Sequence, residues 1–284
     1  MSLLVDAHAH LHTASLDGAL DAARANFETA AARLGIRPTA CALLLAEAAA
    51  ERRLDEASRA RERGRWTLRP TAEAEAVRAE GPGASSILIV AGRQARTDEG
   101  LEVHALGTRA PLRDGRSLDE TLEEARATGA LVVLPWGVGK WWGRRGRRVR
   151  EALDRATDLI VSDNGGRPWF WPTPELVRRE GARGRPVLAG SDPLAIAGDW
   201  SRLGSYGTVL EADLEGAAPV GALLRALRES RIPTRTYGTP AGATAFVRAQ
   251  VRVRRERADR RPLPAPSSGR GDGSAARRRS STGF

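Results

Sequence analysis

Lysine is nearly absent from this chain: Lys140 stands alone against 44 arginines. An ammonium is a compact, mobile charge whose pKa yields to its surroundings, whereas a guanidinium is a permanently charged planar fork, so position 140 needs its own explanation. Cysteine is equally scarce. The single Cys41 excludes an intramolecular disulfide and a cysteine-built zinc site, and agrees with a reducing compartment. Long apolar runs are missing too, since no window approaches the roughly 18 residues of a membrane span. The opening MSLLVDAHAHLH has no basic stretch leading into an apolar one, so a cytoplasmic location without a membrane partner is expected. The signatures Gly-x-Ser-x-Gly, P-loop and GxGxxG are also absent. Nucleophile-elbow hydrolases, P-loop NTPases and dinucleotide-binding domains therefore have no support in the sequence.

What is present suits a soluble globular chain, with 41% hydrophobic and 28% charged residues over 284 positions. The net charge of +10 is unevenly spread. From Arg252 onward ten arginines face Glu256, Asp259 and Asp272, a net of +7, which leaves about +3 for the preceding 251 residues. The segment RRPLPAPSSGRGDGSAARRRSSTGF is rich in Pro, Gly, Ser and Arg. Such a composition buries too little to fold, so the expected organisation is one domain over residues 1–250 and a disordered basic tail over 251–284. The plain reading of that tail is a solubilising extension. The sharper one is a weak, salt-sensitive contact with nucleic acid.

Short apolar runs alternate with Ala/Arg/Glu-rich helical stretches. They are LLVDAHAH at 3–10, ACALLLAE at 40–47, SSILIVAGRQ at 85–94, ALVVLPWG at 130–137, DLIVSDNGG at 158–166, RPVLAGSD at 185–192 and RIPTRTYG at 231–238. Between two of them, SLDETLEEARATG opens with Ser117 and Glu120 at capping-box spacing. Strands that are apolar throughout and separated by helices imply a parallel sheet, and about seven such repeats point to a (β/α) barrel rather than an open doubly wound sheet. Nearly every run ends in a chemically capable residue, among them Asp6, Glu47, Gln94, Asp163, Asn164, Ser191 and Asp192. Barrel strand ends converge on the face where ligands bind.

The densest signal is Asp6-Ala-His8-Ala-His10. Residues i and i+2 of a strand point the same way, so two imidazoles can reach one metal ion. Only four histidines exist, and His12 adds a third to this stretch. Here the chain resembles the PHP family, the polymerase and histidinol phosphatase-type metal-dependent phosphoesterases. DAHAHLHTASLDG is similar to the family's HxH motif, ILIVAGRQARTDEGLEVHALG to a strand-end Glu followed after a hairpin by His, LVVLPWG to a strand ending in His-Pro, and VLAGSDPL to Gly-Ser-Asp-x-His. The likeness covers roughly residues 1–240. It implies a distorted (β/α)7 TIM-like barrel, a divalent ion (Zn, Mn or Mg) and a small anionic or phosphorylated substrate. Several family ligands are replaced: Gln94 stands for a bridging Glu, Pro135 or Trp136 for a His, and Leu194 for the final His.

The resemblance thus implies a reduced centre with His8, His10, Asp192 and Glu47 as metal ligands, Asp17 as a further candidate, and His104 as a ligand or acid/base. The glycine-rich loop LPWGVGKWWGRRGRR follows a strand end and offers backbone amides to an anion. Lys140, with Arg144 and Arg145, would neutralise substrate charge there, while Trp141 and Trp142 supply a flat apolar surface; Gln94 and Asn164 complete the expected substrate contacts. The Trp-rich loop and the segment Arg167-Pro-Trp-Phe-Trp-Pro172 suit sugar or base stacking, but also have the composition of packed barrel capping, the commoner case. Two functions are compatible with this set. One is hydrolysis of a phosphate ester with Lys140 and His104 in catalytic roles. The alternative is a catalytically degenerate PHP-like protein that binds an anion without metal.

Overall fold

The computed structural model describes residues 2–11, 15–59, 62–63, 65–82, 86–212, 214, 218–229, 235–244, 246–248 and 251. Helix boundaries follow the local sequence. α1 (Leu16–Leu34) starts after Ser15, whose hydroxyl accepts from the Gly18 amide, and stops at Gly35, whose φ of 66° suits a residue without Cβ. β1 (Ser2–Ala9) and β2 (Ala40–Leu45) flank it as a parallel pair. After α2 (Arg53–Arg59) the chain makes β3 (Glu62–Arg63), β4 (Trp66–Pro70), β5 (Ala76–Glu80) and β6 (Ser86–Val90), each antiparallel to the one before. β7 (Gly92–Arg96) and β8 (Glu102–Leu106) form a hairpin.

Strand–helix alternation then resumes. It runs through α3 (Leu118–Ala127), β9 (Leu131–Pro135), α4 (Gly143–Arg155), β10 (Ile160–Asn164), α5 (Glu175–Ala182) and β11 (Val187–Gly190). α3 carries the expected capping box, with the Ser117 hydroxyl bound to the Glu120 amide and the Glu120 carboxylate to the Ser117 amide. A 3-10 turn at Asp199–Arg202, β12 (Tyr206–Glu211), α6 (Pro219–Glu229) and β13 (Arg235–Gly238) complete the described order.

The strands form two open sheets. One has eight strands in the order β13-β12-β1-β2-β6-β5-β4-β3, and the other five in the order β11-β10-β9-β8-β7. Their inner faces share one core in which Leu3, Val5 and Leu88 meet Leu131, Val133 and Leu188, and α6 closes it with Leu223 and Leu227. α1 covers the outer face of the first sheet, while α3, α4 and α5 cover that of the second. A few hydrogen bonds join the sheets where their strands end, among them the Glu47 amide to the Gly92 carbonyl at 3.1 Å. The Asp192 amide donates to the His8 carbonyl at 2.9 Å, and the Gln94 amide to the Glu47 carbonyl at 2.9 Å.

The expected distorted (β/α)7 TIM-like barrel of the PHP type is therefore corrected to a mixed α/β architecture without a closed barrel. The apolar runs depart from strand–helix repeats in two places. The run at 85–94 is not one strand but β6 and β7, which belong to different sheets. The Arg- and Glu-rich connector between the runs at 40–47 and 85–94 contains β4 and β5, and these lie antiparallel to neighbours. In β5, Val77 to Glu80 alternate between buried and partly exposed positions, a period-2 pattern that Arg78 and Glu80 disguise in a hydropathy reading. β12 then runs antiparallel along β1 and occupies the edge through which a barrel would close. Apart from Val251, the expected tail at 251–284 and its nucleic-acid contact lie outside the described residues, as does His12. No helix among the described residues is long and apolar enough to cross a membrane.

Candidate metal centre

The centre lies where β1 of one sheet meets β11 of the other. The β1–β2 register shifts between Asp6 and Ala9, so two residues of β1, Ala7 and His8, face the single Leu44. Such a bulge bends a strand and re-aims its side chains. Gly190 allows β11 to approach: a Cβ there would lie 2.3 Å from the His8 nitrogen and 2.4 Å from the His8 Cβ. Asp6 locks the junction. Its buried carboxylate accepts from the amides of His8, Ser191 and Gly204 and from the Ser191 hydroxyl, so it is committed to the backbone. Burial nevertheless pushes its pKa up to about 6 against these four donors.

His8, His10 and Asp192 converge on one another, and one potential ligand atom from each lies within 4.8 Å of the others. The Asp192 Oδ1 is 3.3 Å from His8 Nε2 and 3.5 Å from His10 Nε2. Neither nitrogen of the buried His8 ring makes a hydrogen bond. Burial, only partly opposed by Asp192, pulls the His8 pKa down to about 4, which leaves the ring neutral at pH 7 with a lone pair for a ligand. Burial also acts against charge on His10, yet its hydrogen bond and attraction to Asp192 win and hold its pKa above the ordinary value. For Asp192, desolvation is overcome by His8, His10 and Lys140, so the carboxylate stays ionised. Two imidazoles and a carboxylate form a donor set that can hold a metal ion.

Asp192 has a φ of 43°, in the left-handed region, and is the only described non-glycine residue with a positive φ. Asp and Asn tolerate this conformation better than other side chains, and unusual backbone at a candidate ligand is characteristic of functional sites. Asn164 braces the carboxylate. Its amide nitrogen donates to Asp192 Oδ2 and, at 3.4 Å, to the Trp136 carbonyl, while its oxygen accepts from the Gly166 amide at 2.6 Å. Asn164 is held in turn by Asp163, which is fixed by Arg167 and by the Tyr206 hydroxyl. Asn164 is thus a positioning residue rather than a free substrate contact. Asn164→Ala is expected to weaken divalent-ion binding about 10–100-fold, as outer-sphere losses do, with little loss of stability; calorimetric ion titration and thermal melts measure the two.

His104 packs edge-on against His8, with ring centroids 4.3 Å apart. Burial, followed by repulsion from His8 and His10, keeps the ring neutral well below its ordinary pKa. Its Nε2 lies 3.0 Å from the Gln94 oxygen, and with that nitrogen donating, the unpartnered Nδ1 remains as an acceptor. Lys140 stands at the rim in an ion pair with Glu102, two residues before His104 on β8, and its charge acts on His8, His104 and Asp192. Gly137 makes room for this fold-back, since a Cβ there would lie 2.7 Å from the Lys140 Cδ. Glu102 was not among the sequence-based candidates. Its signal was the i, i+2 spacing with His104 on a strand.

Other expected participants lie elsewhere. The Glu47 carboxylate is spent on a buried ion pair with Arg93 at 2.8 Å and on the Leu54 amide that starts α2, so it is not part of the metal-capable group. Trp141 is core between the second sheet and α4. Arg145 donates to the Gly139 carbonyl at 2.6 Å, and Arg144 is exposed at the start of α4. Asp17 sits in the first turn of α1. Lys140, Arg144 and Arg145 therefore do not converge on one anion.

No protein-family model matches the chain, and no curated protein matches it. Neither comparison supplies evidence of hydrolase or phosphoesterase activity. Among solved structures the chain is similar to PsfC from Pseudomonas syringae PB-5123, with a TM-score of 0.54 and 13% identity over 91% of this chain and 98% of that one. At this identity the likeness extends to the fold, and the described chain shares its α/β architecture with PsfC.

Proposed function

We propose that His8, His10 and Asp192 hold one divalent cation and that the centre serves hydrolysis of a phosphate ester. The observation that carries this reading is the buried His8 ring, neutral and without a hydrogen bond, beside an ionised carboxylate and a second imidazole. Leaving such groups without a ligand is unfavourable in a buried setting, and three donors of this type leave further coordination positions open. When bound, the ion would supply Lewis-acid polarisation of a phosphoryl oxygen and an acidified water. Zn, Mn and Mg are the candidates; two imidazoles favour Zn or Mn over Mg.

The remaining groups support that chemistry. Lys140 places a positive charge at the rim, where an incoming phosphate would meet it, and Glu102 holds that charge in place. Neutral His104 offers an acceptor nitrogen beside His8. The order of the motifs around His8, Gln94, His104 and Asp192, similar to that of the PHP phosphoesterases, is the basis for choosing a phosphate ester as substrate. The buried, solitary Cys41, whose thiol burial pushes up to about 12, accords with a reducing cytoplasmic setting.

The reading is tested with p-nitrophenyl phosphate and bis(p-nitrophenyl) phosphate in the presence of added Zn, Mn or Mg. Turnover of one ester, abolished by EDTA and by His8→Ala, is expected. Ion binding at the centre with no turnover of either ester would remove the hydrolytic part of the proposal.

A further inference from the structure

Large apolar side chains are exposed at five described positions: Trp142, Trp169, Phe170, Val247 and Val251. The three aromatic ones lie on or next to one groove. Trp142 forms one wall of a groove of about 420 Å³ between α4 and the start of α5, with Trp136 and Trp141 among its deeper lining and Trp171, Pro172 and Pro174 also lining it. Trp169 and Phe170 immediately precede Trp171 and meet edge-on at 5.9 Å. The last described part of the chain is anchored to the same segment, because the Phe246 ring lies 5.5 Å from the Trp171 ring and the Trp169 amide donates to the Ala241 carbonyl.

The charge beside this groove goes against the helix that carries it. α4 has no acidic residue in its first turn and no side-chain cap, yet its opening reads Gly-Arg-Arg-Gly-Arg-Arg. Cations at a helix N-terminus are unfavourable there. Arg145 and Arg148 are engaged with the Gly139 carbonyl and with Asp119. Arg144 and Arg147 are exposed and have no ion-pair partner among the described residues. Two of the four cations thus stand at an unfavourable helix end without compensation among the described residues, which is what a surface shaped for an anionic partner does.

We propose that this face binds single-stranded nucleic acid. Bases would stack on the exposed rings of Trp142, Trp169 and Phe170, and phosphates would lie against Arg144 and Arg147. Stacking platforms flanked by unpaired cations are the chemistry of sequence-tolerant single-strand binding. The net +7 of residues 252–284 adds to the long-range attraction of an anionic strand. The proposal is independent of the metal centre, whose side chains do not line this groove.

The test is fluorescence anisotropy of the full chain with labelled oligothymidylate and oligouridylate of about twelve nucleotides, over a salt series, with a duplex of equal length as competitor. Both single strands are expected to bind and to quench tryptophan emission. Trp142→Ala, at a residue 62% exposed and so safe for folding, is expected to weaken binding roughly tenfold without changing the salt slope. Arg144→Glu with Arg147→Glu is expected to weaken binding and to lower the slope by about 0.7 per lost phosphate contact. Preference for uridylate over thymidylate would identify the strand as RNA, and the reverse as DNA; either supports the face. Three results would overturn the proposal: a duplex that competes as well as a single strand; variants at Trp142, Arg144 and Arg147 that bind like the parent while Arg277→Gln, Arg278→Gln and Arg279→Gln together abolish binding; or a peptide of residues 258–268 that displaces the oligonucleotide by filling the groove with the chain's own Pro262–Pro266.

Discussion

An Asp192→Asn variant is expected to lose divalent-ion binding by more than about 100-fold, because loss of an outer-sphere partner alone weakens metal sites 10–100-fold. The substitution is chosen to isolate charge. Asparagine keeps the size of the side chain and tolerates the φ of 43° at this position. The fold should therefore persist while the anionic donor facing both His8 and His10 disappears. His10 supplies a second readout. Its pKa is raised through its hydrogen bond and attraction to Asp192, so removing the charge should return it toward lower values, observable by NMR titration of the imidazole. A group whose pKa is raised on folding adds stability below its unfolded pKa and loses it as pH rises through the folded one. In the parent, the His10–Asp192 pair accordingly favours the folded state at mildly acidic pH, and this advantage should be missing from the variant. Ion binding shows the opposite trend, weakening on acidification as the proton on His10 competes with the metal.

Gly190→Ala is expected to have the largest effect on stability, a loss of about 3 kcal/mol or more, since overpacking against backbone cannot be relieved by a rotamer change. The added methyl would meet the His8 nitrogen, Cβ and Cα at 2.3, 2.4 and 2.7 Å. None of these atoms belongs to a flexible side-chain end. β1 and β11 would have to part, which breaks the Asp192-to-His8 backbone bond and the Asp6 cradle together. In a chain of this size the loss corresponds to a fall of roughly 10 °C in thermal midpoint. Gly184→Ala is the control: nothing lies within 4 Å of its Cβ position and only its φ of 72° opposes the change, which limits the effect to about 1 kcal/mol. A Gly190→Ala protein as stable as the Gly184→Ala one would show that the two sheets do not meet at His8 in the manner described.

The centre was more legible in the sequence than the fold was. His8 and His10 were readable because two-residue spacing on a strand fixes the side on which both rings emerge, and Asp192 because a small-residue turn follows the apolar run VLAG. Glu47 was misleading: a carboxylate at a strand end looks like a ligand until its partner is known, and Arg93, 46 residues away, has no local signature of pairing. Trp141 shows the same limit in apolar form, because a tryptophan in a basic loop does not reveal whether the ring faces solvent or core. Asn164 appeared as a polar strand end, but its bond to Asp192 spans 28 residues of sequence. The barrel failed for a topological reason. Apolar runs specify that strands exist, but not whether neighbours are parallel, and β12 paired antiparallel with β1 cannot be inferred from either strand's composition.

The most direct measurement for the central claim is the metal content and ion-binding stoichiometry of the full chain, by elemental analysis and calorimetric titration with Zn, Mn and Mg. One ion per chain, with a raised thermal midpoint on binding and loss of both effects in His8→Ala and Asp192→Asn, is the predicted result. Less than a trace of bound metal, no thermal shift from any of the three ions, and identical behaviour of parent and His8→Ala proteins would contradict it.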